Sequence, residues 1–580
     1  MRAAAGFGAG RSAQCERLRG GIYDVLVIGG GITGAGVALD AAVRGLRVAL
    51  VERRDFASGT SRWSTKLVHG GIRYLPQLDI GLVREALVER GLLLRNAPRL
   101  VEPLLFVLPI YQYNRHPLGL QRVPPAGPLL VAYLELGLFA YDLLAWGLNI
   151  EPHRRLNQGM LRELAPLLRT DGLLAAYGYF DARTDDARLV MNVLETARQY
   201  GAVLCNYCEV VGFERSGNRL RAAQVRDVLT GDEFVVQAKL FVNATGIWGE
   251  ELERKALGAP TVHIAPSKGV HLVLPQERVG VEHAALVIPE TSDGRLLFVV
   301  PHDGLAILGT TDTGAGPLDD PLASDADVDF LLEHANRYLE VHLTRADVIS
   351  VYAGYRPLIR RGLAETTARL SRSHELIEHE SGLVSILGGK LTTYRRMAEE
   401  TVDRIQRRLG QPVRHPTRHL MLAGREGLET ALPAILATAQ ELGVERSVPW
   451  LLQAYGTRAQ AVLELAREEP QLARPIVPGL PYLFAEVIHA CRNEMAQRLE
   501  DVLERRTWVL FADRGHGLAS VAEVAQLMAR ELGWDEEDRA AEITAYRERV
   551  LHLCGSEVGI ATQLSGAAEE VSGKEGLEVH

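Results

Sequence analysis

Apolar positions near the amino terminus come in unbroken runs rather than in alternation. Residues 23–28 form one such run, interrupted only by Asp24, and residues 47–51 form a second. Runs this short and this apolar suit strands buried on both faces of a parallel sheet. Between them lie Gly29, Gly30, Gly31, Ile32, Thr33 and Gly34, then an alanine-rich helical pattern over 35–44, and Glu52 follows the second run. The spacing predicts strand, glycine turn, helix, strand and terminal acid in one unit of about 30 residues.

The pattern then changes several times. A helix is predicted over 82–96, stopped by Pro98, and a strand over 101–113, which Pro103 and Pro109 confine to an edge or an irregular stretch. Residues 128–150 are strongly apolar but carry Glu135, Asp142, Gly137 and Gly147, so they read as a helix packed in an interior or against a partner subunit rather than a span. A helix lying in a membrane interface is the alternative. Asp185 and Asp186 sit where a helix over 189–200 begins, the end that favours anions. Strands follow at 202–210, twice within 213–237, and at 240–246.

From 268 onward the period becomes two, over 268–274, 295–301, 305–309, 350–358 and 370–376, which predicts an antiparallel sheet with one face on a pocket. A strand at 384–387 and the glycines Gly388 and Gly389 lead into a helix over 395–409, repeating the opening logic. From 420 the chain is charged helices, including 485–503 and 521–532. Residues 556–580 are rich in Gly, Ser and Glu and read as disordered, and the Arg/Ala/Gly-rich residues 1–21 as a flexible extension.

Composition narrows this picture. A chain of 580 residues holds roughly two or three domains, and 47% apolar with 24% charged residues is ordinary for a soluble globular protein. A net charge of -9 argues against nucleic-acid binding. Five cysteines are too few for a disulfide framework and suit a reducing compartment, and no secretory segment is visible before Tyr23. Cys205 and Cys208, three apart in a strand, are expected on opposite faces and structural, so no metal site is expected.

The candidate chemistry gathers at the ends of the apolar runs. Gly29 allows the tight turn, Gly31 lets backbone approach a pyrophosphate, Gly34 lets helix and strand pack closely, and Glu52 can accept from a ribose. The loop after Glu52 offers Arg53, Thr60, Ser61, Ser64, Thr65 and Lys66 to phosphate oxygens. It runs into Leu67, Val68, His69, Gly70, Gly71, Ile72, Arg73 and Tyr74, a backbone suited to lie against something flat. Ala244, Thr245 and Gly246 end another buried strand, and Gly389, Lys390, Leu391, Thr392 and Thr393 open the later helix. These features alone leave NAD and FAD equal.

Taken together the motifs resemble the FAD-dependent glycerol-3-phosphate dehydrogenase family. The carrying residues are 29–34, 66–75 and 185–189, then Lys268, Gly269 and His271, 309–312, 352–358, 388–395 and the 501–507 stretch of the carboxyl-terminal part. The resemblance implies an α/β plus α+β fold. A Rossmann-like FAD-binding domain of glutathione-reductase/D-amino-acid-oxidase type (about 22–80, 180–260 and 350–410) interleaves with an antiparallel-sheet substrate domain (about 81–179 and 261–349). An α-helical carboxyl-terminal cap domain over 411–555 follows.

The family's reaction implies oxidation of sn-glycerol 3-phosphate at C2 to dihydroxyacetone phosphate, with FAD as cofactor and a membrane quinone as acceptor. It also implies a homodimer in peripheral contact with the cytoplasmic face of a membrane. By the same resemblance Arg73, Tyr74, Arg356, Arg372 and Lys390 line the substrate pocket; Arg356 and Lys390 are counted as catalytic too, since a Lys or Arg near the flavin would stabilise the anionic reduced ring. Arginine is the side chain for planar recognition of phosphate oxygens. The hydroxyl proton at C2 needs a base, and His69 and His271 are the candidates. Arg62 and Trp63 depart from the small or hydroxyl residues many relatives carry. Only Cys491 and Cys554 lie beyond Gly410, which argues against an iron–sulfur domain. The rival readings are glycerol-3-phosphate oxidase with oxygen as acceptor, an amino-acid flavoenzyme of the same fold, and a non-catalytic flavin- or nucleotide-binding protein.

Overall fold

The two opening apolar runs form the strands Ile22–Ile28 and Val48–Val51, paired in parallel with Ile28 opposite Val51. The computed structural model describes residues 10–554 apart from 78, 121–123, 126, 146 and 361–373. On its other side Ile22–Ile28 pairs in parallel with Glu233–Asn243, which in turn pairs with Leu383–Gly388, while Val48–Val51 pairs with Val203–Cys205. This parallel core is extended by His374–Glu378 at one edge and by an antiparallel meander of Arg219–Asp227 and Cys208–Ser216. Helix Ile32–Val43 packs against helices Tyr394–Arg408 and Asp186–Gln199, burying Val37, Ala38, Val193, Val402 and their neighbours in one apolar layer.

A second, ten-stranded sheet carries the other domain, ordered Thr313–Gly314, His263–Pro275, Leu305–Gly309, Leu297–His302, Ala284–Ile288, Val101–Tyr111, Leu173–Thr184 and Leu67–Val68. Ser350–Arg360 lies antiparallel along His263–Pro275. Leu67–Val68 and all of Ser350–Arg360 therefore belong to this sheet, although both adjoin cofactor-side segments in sequence. Val101–Tyr111 is an interior strand, not an edge. Its parallel partner Ala284–Ile288 pairs only with Leu105, Phe106 and Val107, so the missing N–H groups of Pro103 and Pro109 fall outside that ladder.

Three further expectations are corrected. Residues Arg11–Gly20 form a helix docked on Val203–Cys205, with Leu18 fully buried, so this part of the expected extension is not loose. Cys15 and Cys205 form a disulfide with their Cα atoms 6.1 Å apart, although the count of cysteines gave no reason to expect one. Cys205 and Cys208 do not face apart, because the chain turns at Asn206 and Tyr207, Tyr207 with φ 54°, and brings the Cys15, Cys205 and Cys208 sulfurs within 4.8 Å of one another. Residues 1–9 and 556–580 lie outside the described residues.

The carboxyl-terminal part is helical, from Leu428–Leu442 to Glu536–Cys554. The helix expected over 485–503 ends at Asn493, because Glu494 turns into a buried ion pair with Arg188. The next turn, Asp501–Arg506, is buried against the cofactor-side loop. There Arg506 donates to both Asp55 oxygens at 2.7 and 2.9 Å and Arg505 to one of them at 2.7 Å. Helix Pro128–Leu144 buries Leu130, Leu134, Leu138 and Tyr141 but leaves Leu129, Leu136 and Phe139 69%, 65% and 59% exposed, so only one of its faces is packed. Among the described residues no helix is long and apolar enough to cross a membrane.

Candidate active site

Four loops leave the carboxyl ends of adjacent parallel strands together, the place where an open α/β sheet binds a dinucleotide. They start at Gly29, Glu52, Ala244 and Gly388, and between them lies a cavity of about 310 Å³. Gly29 has φ +113°, and a Cβ there would stand 2.5 Å from the Ala244 carbonyl oxygen. A Cβ on Gly34 would stand 1.9 Å from the Gly29 carbonyl oxygen, so helix and turn touch directly. The Ile32 N–H at the helix start donates to Ser61 Oγ at 2.9 Å. Glu52 accepts from the Gly30 and Arg54 amides at 2.6 and 2.9 Å, and burial pushes its carboxyl up.

This cavity is lined by Gly29, Gly31, Ile32, Thr33, Glu52 and Arg53, by Thr60, Ser61 and Ser64, by Ala244, Thr245 and Gly246, and by Gly389, Lys390 and Leu391. His69, Tyr74 and Arg356 close its far end. The donor set fits FAD: backbone N–H groups and hydroxyls at a helix start for a pyrophosphate, an acid for a ribose, and a glycine-lined floor that any Cβ would fill.

A second cavity of about 190 Å³ shares Thr60, Ser64, His69, Arg356, Lys390 and Leu391 with the first, and adds Thr65, Leu67, His271 and Thr392. Period-two alternation along His263–Pro275 puts Ser267, Gly269 and His271 on one face, and the antiparallel register sets His271 opposite Tyr352 and Ser267 opposite Arg356. The Arg356 guanidinium donates to Ser267 Oγ at 3.2 Å and to Thr310 Oγ1 and the Thr311 carbonyl at 3.1 Å each. The Lys390 ammonium sits 3.9 Å from the centre of the Tyr74 ring. His271 is buried, stacks on Tyr352 with ring centres 4.7 Å apart, and has Nε2 2.8 Å from Thr65 Oγ1. Burial first, then Arg356 and Lys66, holds its pKa well below 6.5, so the ring is neutral near pH 7.

Five of the residues expected to hold the cofactor line neither cavity. Gly34 packs on the Gly29 carbonyl and Gly71 on the Tyr74 ring, the Gly70 N–H donates to Asp181 at 3.1 Å, and the Thr393 N–H and hydroxyl donate to the Lys390 carbonyl at 3.2 and 3.4 Å. Lys66 turns away, its ammonium buried 3.2 Å from Asp185 and 2.6 Å from Asp186. Asp186 also accepts from the Ser64 N–H and hydroxyl at 3.0 and 2.7 Å, so this cluster sets the loop's course from behind. Arg62 likewise faces the carboxyl-terminal domain and pairs with Glu504, whereas Trp63 lines the second cavity and packs on Tyr352 and on Phe511 of the carboxyl-terminal domain. Arg372 and the Arg73 side chain lie outside the described residues.

Residues not anticipated from sequence also line the cavities. Trp248 lies under the Arg53 guanidinium, 4.3 Å from ring centre to carbon, at the adenosine end. Arg295 and Phe298 line the second cavity, together with Asp312, which the 309–312 motif had brought up without a site role. Arg295 heads an alternating strand and Trp248 follows Ala244, Thr245 and Gly246 by two positions, which are the only sequence signals either offered.

The model of the FAD dependent oxidoreductase family matches residues 24–395, and that of the C-terminal domain of alpha-glycerophosphate oxidase matches 415–539. A glycerol-3-phosphate dehydrogenase of Mycobacterium leprae (strain TN) is 38% identical over 549 residues, 93% of this chain and 90% of that protein. The mitochondrial glycerol-3-phosphate dehydrogenase of Bos taurus is 36% identical over 566 residues, 94% of this chain and 75% of that protein. The crystal structure of glycerol-3-phosphate dehydrogenase from Bacillus halodurans complexed with FAD superposes with a TM-score of 0.77 at 31% identity, covering 94% of this chain and 98% of that one.

Proposed function

Because this chain belongs to the family of FAD-dependent glycerol-3-phosphate dehydrogenases, we propose that it oxidises sn-glycerol 3-phosphate to dihydroxyacetone phosphate and delivers the electrons to a membrane quinone. FAD, when bound, would supply the two-electron acceptor for the C2 hydride. The carrying observation is that the second cavity opens off the cofactor cavity across shared His69, Arg356 and Lys390, with the neutral His271 in its wall.

Each side chain then has a task that its chemistry suits. A phosphomonoester is a dianion, and Arg356 with Lys390 supplies cations at the cavity wall. Arg73, Tyr74 and Arg372 complete the substrate set on the strength of the resemblance. The guanidinium fork of Arg356 is already oriented by Ser267, Thr310 and Thr311, so it loses little freedom on meeting phosphate. His271 accepts the C2 hydroxyl proton, a role a neutral imidazole can fill. His69, at the junction of the cavities, borders flavin and substrate alike. Gly29, Gly31, Ile32 and Thr33 with Ser61 hold the pyrophosphate, and Glu52 the ribose.

The direct test is anaerobic titration of the yellow protein with sn-glycerol 3-phosphate: the flavin absorbance should bleach stoichiometrically, and a protein whose flavin stays oxidised sinks the reading. Peroxide yield against reduction of a quinone analogue, in one assay, separates dehydrogenase from oxidase. Arg356→Ala is expected to lower kcat/KM about 30- to 150-fold, the loss of roughly 2–3 kcal/mol of charge-assisted bonding, and Arg356→Lys to recover part of it. An unchanged kcat/KM in Arg356→Ala would remove it from the substrate site.

The exposed face of helix Pro128–Leu144 is the part of the described surface best suited to lie in a membrane interface, being aromatic and aliphatic on a helix too short and too polar to cross. Leu136→Glu with Phe139→Glu should release the protein from lipid vesicles in a flotation assay while substrate still bleaches the flavin. Equal flotation of the variant and the parent protein argues against this contact.

A further inference from the structure

The amino-terminal helix Arg11–Gly20 lies far from His69 and His271 in sequence, yet it is bonded to the turn beside the adenosine end of the cavity. Arg11 donates to the Asn206 and Tyr207 carbonyls at 3.0 and 3.2 Å and pairs with Asp227 at 2.8 Å. Four residues further on, Cys15 is joined by the disulfide to Cys205, the first residue of that turn. The same turn is stitched to Glu52 from both sides: the Glu52 N–H donates to the Cys205 carbonyl at 3.0 Å, and the Cys208 N–H donates to the Glu52 carbonyl at 2.7 Å. Cys208, Glu209 and Val210 then line the cavity itself. Between the disulfide and the acid assigned to the ribose there is a single hydrogen-bonded step.

We propose that the Cys15–Cys205 disulfide is a reducible clamp, open to small dithiols, that sets how tightly FAD is held. A dithiol attacks as thiolate on the sulfur of Cys15, which is 6% exposed where Cys205 is 0%. The S–S bond breaks and Cys205 leaves as thiolate and takes up a proton. The second thiol of the reagent then displaces Cys15 from the mixed disulfide, Cys15 is protonated, and the reagent departs as its own disulfide. Two electrons have moved from reagent to protein. Reoxidation by a disulfide reverses every step. Burial pushes the Cys208 thiol up to about 12 despite Arg11 beside it, so Cys208 stays protonated and the disulfide is the reactive element.

Once the bond is open, the helix is held by non-covalent contacts alone (Leu18, the Arg11 bonds, Gln14 Oε1 accepting from the Leu204 N–H at 3.4 Å, and Arg19 beside Asp232 and Phe234), and the turn beneath Glu52 loses its covalent support. A disulfide in a protein otherwise suited to a reducing compartment is also the type that serves as a switch rather than a permanent brace. The coupling runs both ways: by the factor that reduction weakens FAD binding, bound FAD must resist reduction.

The test uses the FAD-loaded full chain, and it depends on the cofactor but on neither the substrate nor the acceptor, so it can fail while the proposed reaction stands. Under denaturing conditions three of the five cysteines should titrate before reduction and all five after it. Incubation of the native protein with dithiothreitol should then speed the release of FAD, read as the rise of free-flavin fluorescence on dilution, by about tenfold. Cys15→Ser and Cys205→Ser should release FAD at the faster rate with or without the reagent. Five titrating thiols in the unreduced protein, a native disulfide that dithiothreitol does not open, or equal release rates before and after reduction would each overturn the proposal.

Discussion

Replacement of His271 by asparagine is expected to slow reduction of the flavin by sn-glycerol 3-phosphate about 10²- to 10⁴-fold, the range for removing a positioned proton acceptor. The argument rests on the state of the ring. His271 is buried, and the cations Arg356 and Lys66 add to the cost of charging it, so its pKa lies well below 6.5. A base is active when unprotonated. The acid limb of the parent protein's pH profile should therefore lie below pH 6.5, with the rate flat above it, and the limb should vanish in His271→Asn. His69→Ala should keep that limb. Stopped-flow bleaching of the flavin from pH 5 to 8 reads both. Full activity in His271→Asn, or a limb at or above 6.5 that disappears with His69, would transfer the role to His69.

The second large effect is on stability. Asp55 lies at the start of the cofactor loop and is fully buried among Arg505, Arg506 and Asn206, the last donating at 2.9 Å. Burial alone would raise its carboxyl, but Arg506 and Arg505 outweigh that and hold it down at about 2. Asp55→Asn leaves two arginines without their shared anion and should cost about 3–5 kcal/mol, read as a lower urea midpoint and earlier loss of FAD. Adding Arg506→Met should cost less than the sum of the single changes, because the Arg506 charge, then left with Glu494 at 3.6 Å as its acid partner, is removed. A single change costing under about 1 kcal/mol would mean that the cluster contributes nothing to docking.

The same pair gives a sign for pH. The folded pKa is depressed from 3.8 to about 2, so the stability it supplies is fully present above about pH 4 and is lost as pH falls toward 2. That loss is roughly 2 kcal/mol for this one group. Glu494, held down at about 2 against burial by Arg188, adds in the same direction and over the same window. Acid should therefore loosen the carboxyl-terminal domain from the cofactor loop before the parallel sheet itself melts.

Much of the site was legible because its chemistry depends on short-range sequence. A buried parallel strand must be apolar on both faces, and a turn against a pyrophosphate needs glycines at fixed spacing. Gly29, Gly34, Glu52 and the Ala244 turn could therefore be placed from their neighbours alone. The later motifs at His271, Arg356 and Lys390 were recognisable as a set, but no local pattern said which of them meet. That is a matter of register: the pairing of His263–Pro275 with Ser350–Arg360 sets His271 on Tyr352 and Arg356 beside Ser267.

What the sequence could not determine were contacts between segments hundreds of residues apart whose side chains carry no local signal. Lys66 reads as a phosphate ligand until the fold brings Asp185 and Asp186 against it. Asp55 reads as a loop residue until Arg505 and Arg506 arrive from the far end of the chain. The pair Cys205 and Cys208 reads as two faces of one strand until a left-handed Tyr207 folds them together and the first helix delivers Cys15. The sequence by itself determined the strand-end glycines, because backbone geometry and apolar period are written locally, and it determined the family and the cofactor through the set of motifs that carry the resemblance. The tertiary structure alone decided which charges are buried together, that His271 is neutral, and that the amino-terminal helix reaches the adenosine end, because burial and pairing depend on the whole fold.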